Sequence, residues 1–220
     1  MQYKNNGLWR KFIRYIFFFS GLVCFGLGIA LCIKMKHLGL YPWDVLNVAL
    51  FQNFGLSIGT WSVIIGLVLI FISLILNPKY VNIGTFLNAL LIGPIMDFFL
   101  WLDFLPQPSF LWTDYLWVLL GILIVGIGGG LYVSAGIGAG PRDGFMLFIS
   151  DKTGFSVSRA RILVECVVLV IGYFLGGPVF LVTFFYTFIL SPIFQFSLKV
   201  FMQLRNYIDK PIPDPCDNSF

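Results

Sequence analysis

Apolar residues run almost unbroken through positions 15–33, 60–76, 83–101, 115–133, 162–175 and 179–198, and polar residues collect at the seams between these runs. Runs of about 18–20 residues with few charges predict helices that cross a ~30 Å hydrocarbon core. Two further apolar stretches are too short to cross. Each follows a glycine-led turn: Gly39-Leu40-Tyr41-Pro42-Trp43-Asp44 and Gly138-Ala139-Gly140-Pro141-Arg142-Asp143. A proline at the first helical position wastes no N–H, and the acid two residues on lies among free backbone donors. The helices so started, 42–54 and 141–153, stop at Gly55 and Gly154. A dozen helical residues cover only about 18 Å, so each is expected to dip into the bundle or lie against it as a half-helix.

The whole pattern occurs twice. At an offset of 99, Gly39, Pro42, Asp44, Gly55, Ser57, Val68 and Ile72 match Gly138, Pro141, Asp143, Gly154, Ser156, Val167 and Ile171. After a one-residue slip, Thr85, Phe86, Pro94, Ile95, Phe98 and Leu100 match Thr183, Phe184, Pro192, Ile193, Phe196 and Leu198. Upstream, Gly21, Gly26 and Gly28 match Gly121, Gly126 and Gly128 at an offset of 100. Each repeat reads span, half-helix, span, span. Three spans is an odd number, so the second repeat enters the bilayer inverted relative to the first. The expected fold is an all-α integral membrane protein with six transmembrane helices plus two short half-helices in two inverted-topology repeats. Residues 1–14 form a cytoplasmic N-terminus, 15–101 repeat one, 102–114 an outer loop, 115–200 repeat two and 201–220 a cytoplasmic tail.

Composition agrees. The 220 residues are 59% hydrophobic and 11% charged, about half the charge fraction of a soluble domain, and the mean hydropathy is +0.92. Six spans leave no room for a soluble catalytic domain. The net charge of +4 comes from scattered residues at span ends, without the polybasic stripe of a nucleic-acid binder. With both termini cytoplasmic, twelve of the fourteen Lys and Arg fall inside, with Lys34 and Lys36 outside, as positive-inside topology requires. The 102–114 loop, with Asp103 and Asp114 and no Lys or Arg, falls outside. Trp43, Trp61, Trp101, Trp112 and Trp117 are then expected at the outer interface. The 15–33 run leads into no Ala-x-Ala cleavage site and is read as a retained span.

No enzyme, metal or cofactor signature is present. Cys24, Cys32, Cys166 and Cys216 lack ligand spacing, and His37 is the single histidine. No Gly-x-Ser-x-Gly, HExxH or P-loop appears. Asp44 and Asp143 are the first candidates: a symmetry-related pair that binds a cation or proton, pins the half-helices, or simply caps them. Arg142, Arg159, Arg161 and Glu165 stand where the first repeat has Trp43, Thr60, Ser62 and Gly66. Arg161 and Glu165, at i and i+4, can pair, and Arg159 can reach Asp143. Either the arginines and half-helix N–H groups form an anion site, or they anchor the inner face beside one salt bridge. Asp97, with Gln195 as counterpart, faces Lys34 or Lys36 or lines a pathway. Gly39, Pro42, Gly138, Gly140 and Pro141 shape the turns, and Asn82, Thr85, Asn88 and Thr183 are candidate polar lining.

The G-x-x-P-x-D turn, the segments Gly55-Leu56-Ser57-Ile58 and Gly154-Phe155-Ser156-Val157, and the glycine-rich 136–143 approach resemble the YczE/YyaS/YitT-type bacterial multipass membrane proteins. The resemblance covers roughly residues 12–200 and is nearest the YczE-like branch, with no YitT-type soluble C-terminal domain expected. It implies a bacterial plasma-membrane location and little mechanism. Inverted repeats with interrupted helices themselves point to a transporter whose site lies at the repeat interface. The expected function is a small-molecule permease. A substrate-capturing subunit of a larger transporter and a non-catalytic scaffold or regulator stay open. Expected partners are the lipid bilayer, a small or anionic solute, and a second copy or another membrane protein.

Overall fold

The computed structural model describes residues 3–102 and 104–208. Among them are eight α-helices and no strand: α1 Tyr3–Lys34, α2 Pro42–Phe54, α3 Ile58–Leu76, α4 Ile83–Trp101, α5 Trp112–Ser134, α6 Pro141–Thr153, α7 Val157–Phe174 and α8 Leu181–Ile208. α1, α3, α4, α5 and α8 are long and apolar enough to cross a membrane. α7, expected as a sixth span, has 18 residues but carries Arg159, Arg161 and Glu165. α2 and α6 have 13 residues each, about 20 Å of helix, as their turn signals predict.

Three expected boundaries move. Residues 3–14 are not a separate segment but the first turns of α1. α5 begins at Trp112, inside the expected outer loop. α8 continues to Ile208, because no glycine or proline interrupts the chain between Pro192 and Pro211. The rest of the expected tail, 209–220 with Cys216, and Asp103 lie outside the described residues.

α1 and α5 cross at the centre along a seam of small residues. A Cβ on Gly128 would fall 2.5 Å from the Phe25 nitrogen and 2.8 Å from the Gly21 carbonyl oxygen. Gly28 likewise lies against the backbone of Gly121 and Val125. Bare backbone allows the close approach from which helices in lipid gain their packing. α4 packs on α1 and α8 on α5, with Gly26 against Ile95 and Gly126 against Ile193. Phe18, Leu22, Met96, Ile122, Val125 and Tyr186 are buried in this inner bundle. A second cluster, Trp43, Leu69, Met146, Val164 and Val168, holds α2, α3, α6 and α7 together beside it.

The short helices cross over. α2 lies on α7 and α6 lies on α3. Gly39, at φ +114°, presses its backbone on Thr183, whose Oγ1 accepts from the Leu40 N–H at 3.1 Å. Gly138 meets the backbone of Gly84 and Thr85. α3 packs along α4. α7 and α8 instead face one another across a cleft of about 590 Å³. Many outward positions carry large apolar side chains, among them Phe71, Phe98, Phe174 and Phe188, as a lipid-facing surface requires.

Gly128→Val is expected to lower stability by about 1–3 kcal/mol through overpacking against main chain that cannot yield. Thermal unfolding in detergent reads this, with the exposed Val68→Ala as the neutral comparison.

Candidate functional site

Both glycine-led turns deliver the start of a short helix to the same place. α2 begins with Pro42 after Tyr41, and α6 begins with Pro141 after Gly140. Between the two N-terminal turns lies an internal cavity of about 80 Å³, room for two or three molecules the size of water. Tyr41, Asp44, Arg142 and Asp143 from the turns line it, with Ser62, Asn88, Tyr132, Arg161 and Tyr186 from the surrounding helices.

The charges are paired across elements. Arg142 Nη1 of α6 lies 3.9 Å from Asp44 Oδ1 of α2, and its Nη2 donates to Ser62 Oγ at 3.3 Å. Its guanidinium stacks 5.2 Å from the Trp43 ring centre. Arg161 Nη2 of α7 donates to Asp143 Oδ1 of α6 at 3.3 Å. Tyr132 donates to the other Asp143 oxygen at 3.5 Å. Asn47, fully buried, offers its Nδ2 to Asp44 at 3.5 Å, while its Oδ1 has no hydrogen-bond partner. A guanidinium stacked on indole, with one nitrogen toward a carboxylate and the other on a hydroxyl, is held in orientation as well as in charge.

Several sequence expectations give way here. Asp44 does not cap α2, whose start has no side-chain cap. It looks across at Arg142, because the cavity leaves a buried carboxylate dependent on a cation rather than on N–H groups alone. Arg161 pairs with Asp143, not with Glu165, and Arg159 is exposed with only its main-chain N–H engaged, by Ser156 Oγ. The packing of α7 against α6 decides this, since it brings Asp143 nearer than the i+4 position on the same helix. Glu165 is buried and accepts from Tyr41 Oη at 2.5 Å and from Thr187 Oγ1 at 2.8 Å. Trp43 is buried under Arg142 instead of anchoring at the interface.

Asp97 meets neither Lys34 nor Lys36. It accepts from the Ser57 hydroxyl and, at 2.8 Å, from the Gly59 N–H, and so ties α4 to the first turn of α3. Gly59 and Gly93 let the two backbones touch there. Their counterparts in the second half, Ser158 and Ser191, line the open α7–α8 cleft with Gln195, the counterpart of Asp97. Thr85 caps its own helix by accepting from the Asn82 N–H at 3.1 Å. Asn88 lines the cavity. Tyr132, Tyr186 and Ser62 were missed, because isolated hydroxyls within apolar runs carry no spacing signal, and Tyr41 was read only as part of its turn. At the far edge, His37 Nε2 lies 3.0 Å from Asp114, which gathers the Ser109 and Phe110 N–H groups and closes the 105–114 loop.

Residues 12–207 match the family described as a family of unknown function, DUF6198. The chain is 39% identical over 195 residues to the uncharacterized membrane protein YczE of Bacillus subtilis, covering 89% of this chain and 90% of that one. It is 31% identical over 181 residues to an uncharacterized Haemophilus influenzae protein, covering 81% and 80%. It is 28% identical over 170 residues to the uncharacterized protein YyaS of Bacillus subtilis, covering 76% and 83%. No solved structure matches.

Asp97→Ala removes two hydrogen bonds at a helix junction and is expected to cost about 1–3 kcal/mol. Gln195→Ala, facing a cleft, is expected to change stability by less than about 0.5 kcal/mol. Paired thermal midpoints in detergent measure the contrast.

Proposed function

The chain belongs to the DUF6198 family of membrane proteins, and on that premise we propose that it is a permease for a small solute rather than an enzyme. One observation carries the reading: a charged cavity is walled by the N-terminal turns of both short helices at the meeting of the two halves. Helix N-termini that meet at depth, with irregular backbone only where it lines a cavity, are the construction of solute sites in transporters.

We read the fold as two inverted repeats, α1–α4 and α5–α8, with six crossings in which α7 is the charged one. The exchange of contacts supports this. α2 lies on α7 as α6 lies on α3, and α4 lies on α1 as α8 lies on α5. Gly39 meets Thr183 as Gly138 meets Thr85, and those four positions match in sequence. The positive-inside distribution supports cytoplasmic termini in a bacterial plasma membrane.

The departure from symmetry supports movement. The first half is shut where Gly59 meets Gly93 and Asp97 holds α3. The matching place in the second half is open. Two equivalent junctions in opposite states are what alternating access needs: one mouth sealed, the other open, and the site between them. The ion pairs Asp44–Arg142 and Asp143–Arg161 line the path, so a solute that carries a charge engages one of them by displacing its partner.

The test is a stability screen of purified protein against metabolites and ions, followed by uptake into liposomes. A ligand present at 100 times its dissociation constant adds about 2.7 kcal/mol of apparent stability. A specific shift and flux are expected in the native protein, and loss of both in Arg161→Ala and Asp143→Asn at unchanged membrane yield. No shift across the panel, with a co-purifying partner, would favour the scaffold reading instead.

A further inference from the structure

Across the cavity and the adjoining cleft, acids outnumber the bases that face them. Asp44, Asp143 and Glu165 cluster with only Arg142 and Arg161, and those two guanidinium groups face Asp44 and Asp143. Glu165 is 5% exposed, yet its described partners are two hydroxyls, Tyr41 and Thr187. No cation pairs with it among the described residues. Its counterpart in the first half is Gly66, so the acid answers no repeated structural need. An unbalanced charge at this depth is expensive.

Its position is also particular. Tyr41 lines the cavity, whereas Glu165 and Thr187 line the cleft, and Arg161 lines both. The Tyr41–Glu165–Thr187 chain is thus the partition between cavity and cleft, and it ties the start of α2 to α7 and α8.

We propose that Glu165 is a proton-binding site, loaded from the α7–α8 cleft, and the coupling group of the permease. Its role in coupling rests on the permease reading, whereas its proton binding does not. Arginine only donates, so it offers no acceptor to the O–H of a protonated carboxyl that faces it. A hydroxyl donates or accepts, so Tyr41 and Thr187 serve Glu165 in either state. A hydronium ion in the cleft transfers its proton to a carboxylate oxygen and leaves water. The hydroxyl on that oxygen turns from donor to acceptor, and the cluster reaches neutrality. The Tyr41 bond loses its charge assistance, which loosens the partition and exposes the solute cavity. The proton returns to water when the opposite mouth opens. The other groups that face this site from the packed elements are Asp44 on α2, Arg142 and Asp143 on α6, Arg161 and Cys166 on α7, and Tyr186 and Gln195 on α8. None of them replaces the hydroxyl pair around Glu165.

Infrared difference spectra of the purified protein in lipid, recorded as the pH is lowered, test this directly. A protonated-carboxyl carbonyl band is expected in the native protein, lost in Glu165→Gln and retained in Asp97→Asn. Gln keeps a carbonyl for Tyr41 and an amide for Thr187, so the fold is expected to survive. Tyr41→Phe, which keeps Glu165, must displace the pH at which the band appears. A band unchanged in Glu165→Gln, unmoved in Tyr41→Phe, or dependent on sodium instead of pH would overturn the proposal. Solute binding is scored separately by thermal shift. A Glu165 band without any solute shift sinks the permease reading and leaves the proton site standing, and a solute shift without the band does the reverse.

Discussion

An ionised side chain inside a bilayer needs an opposite charge beside it, and this architecture is arranged around that need. Asp44 and Asp143 each begin a short helix, and each finds its guanidinium on a different element. The Arg142–Asp44 contact joins α6 to α2, and the Arg161–Asp143 contact joins α7 to α6. A short helix that stops within the membrane leaves free N–H groups and a loose end. Here those ends are gathered by one another's charges and by the Trp43 ring, so the polar centre and the halting of the helices solve a single problem.

The apolar frame does the complementary work. Five long helices present leucine and phenylalanine outward and small residues inward. The frame is uneven in one place. Glycine and Asp97 close α3 on α4, while serine and glutamine stand apart between α7 and α8. Two hydrogen bonds to a carboxylate are stronger than two to an amide, so the two junctions are not worth the same when shut.

Much of this was legible in the chain itself. The Pro-x-Asp turns and the closing glycines marked α2 and α6 to the residue, because proline and glycine act on local backbone geometry alone. Five of the six long apolar runs lie in helices long and apolar enough to cross a membrane. The identity of charge partners was not legible. Arg161 and Glu165 sit at an ideal spacing on α7, yet each bonds elsewhere, to Asp143 and to Tyr41 and Thr187, because helix crossings set those distances. The helix ends at Tyr3 and Ile208 were missed because polarity, not backbone chemistry, drew the boundary there. Tyr132, Tyr186 and Ser62 read as ordinary residues in apolar helices until the fold set all three around one cavity.

The α1–α5 seam has a mechanical consequence. Where Gly21, Gly28, Gly121 and Gly128 meet, the contact is main chain on main chain. Such a contact has no rotamers to exchange and no side chains to slide past each other. It holds α1 and α5 at a fixed spacing, and a side chain added at Gly21, Gly28 or Gly128 would have to part main chain from main chain.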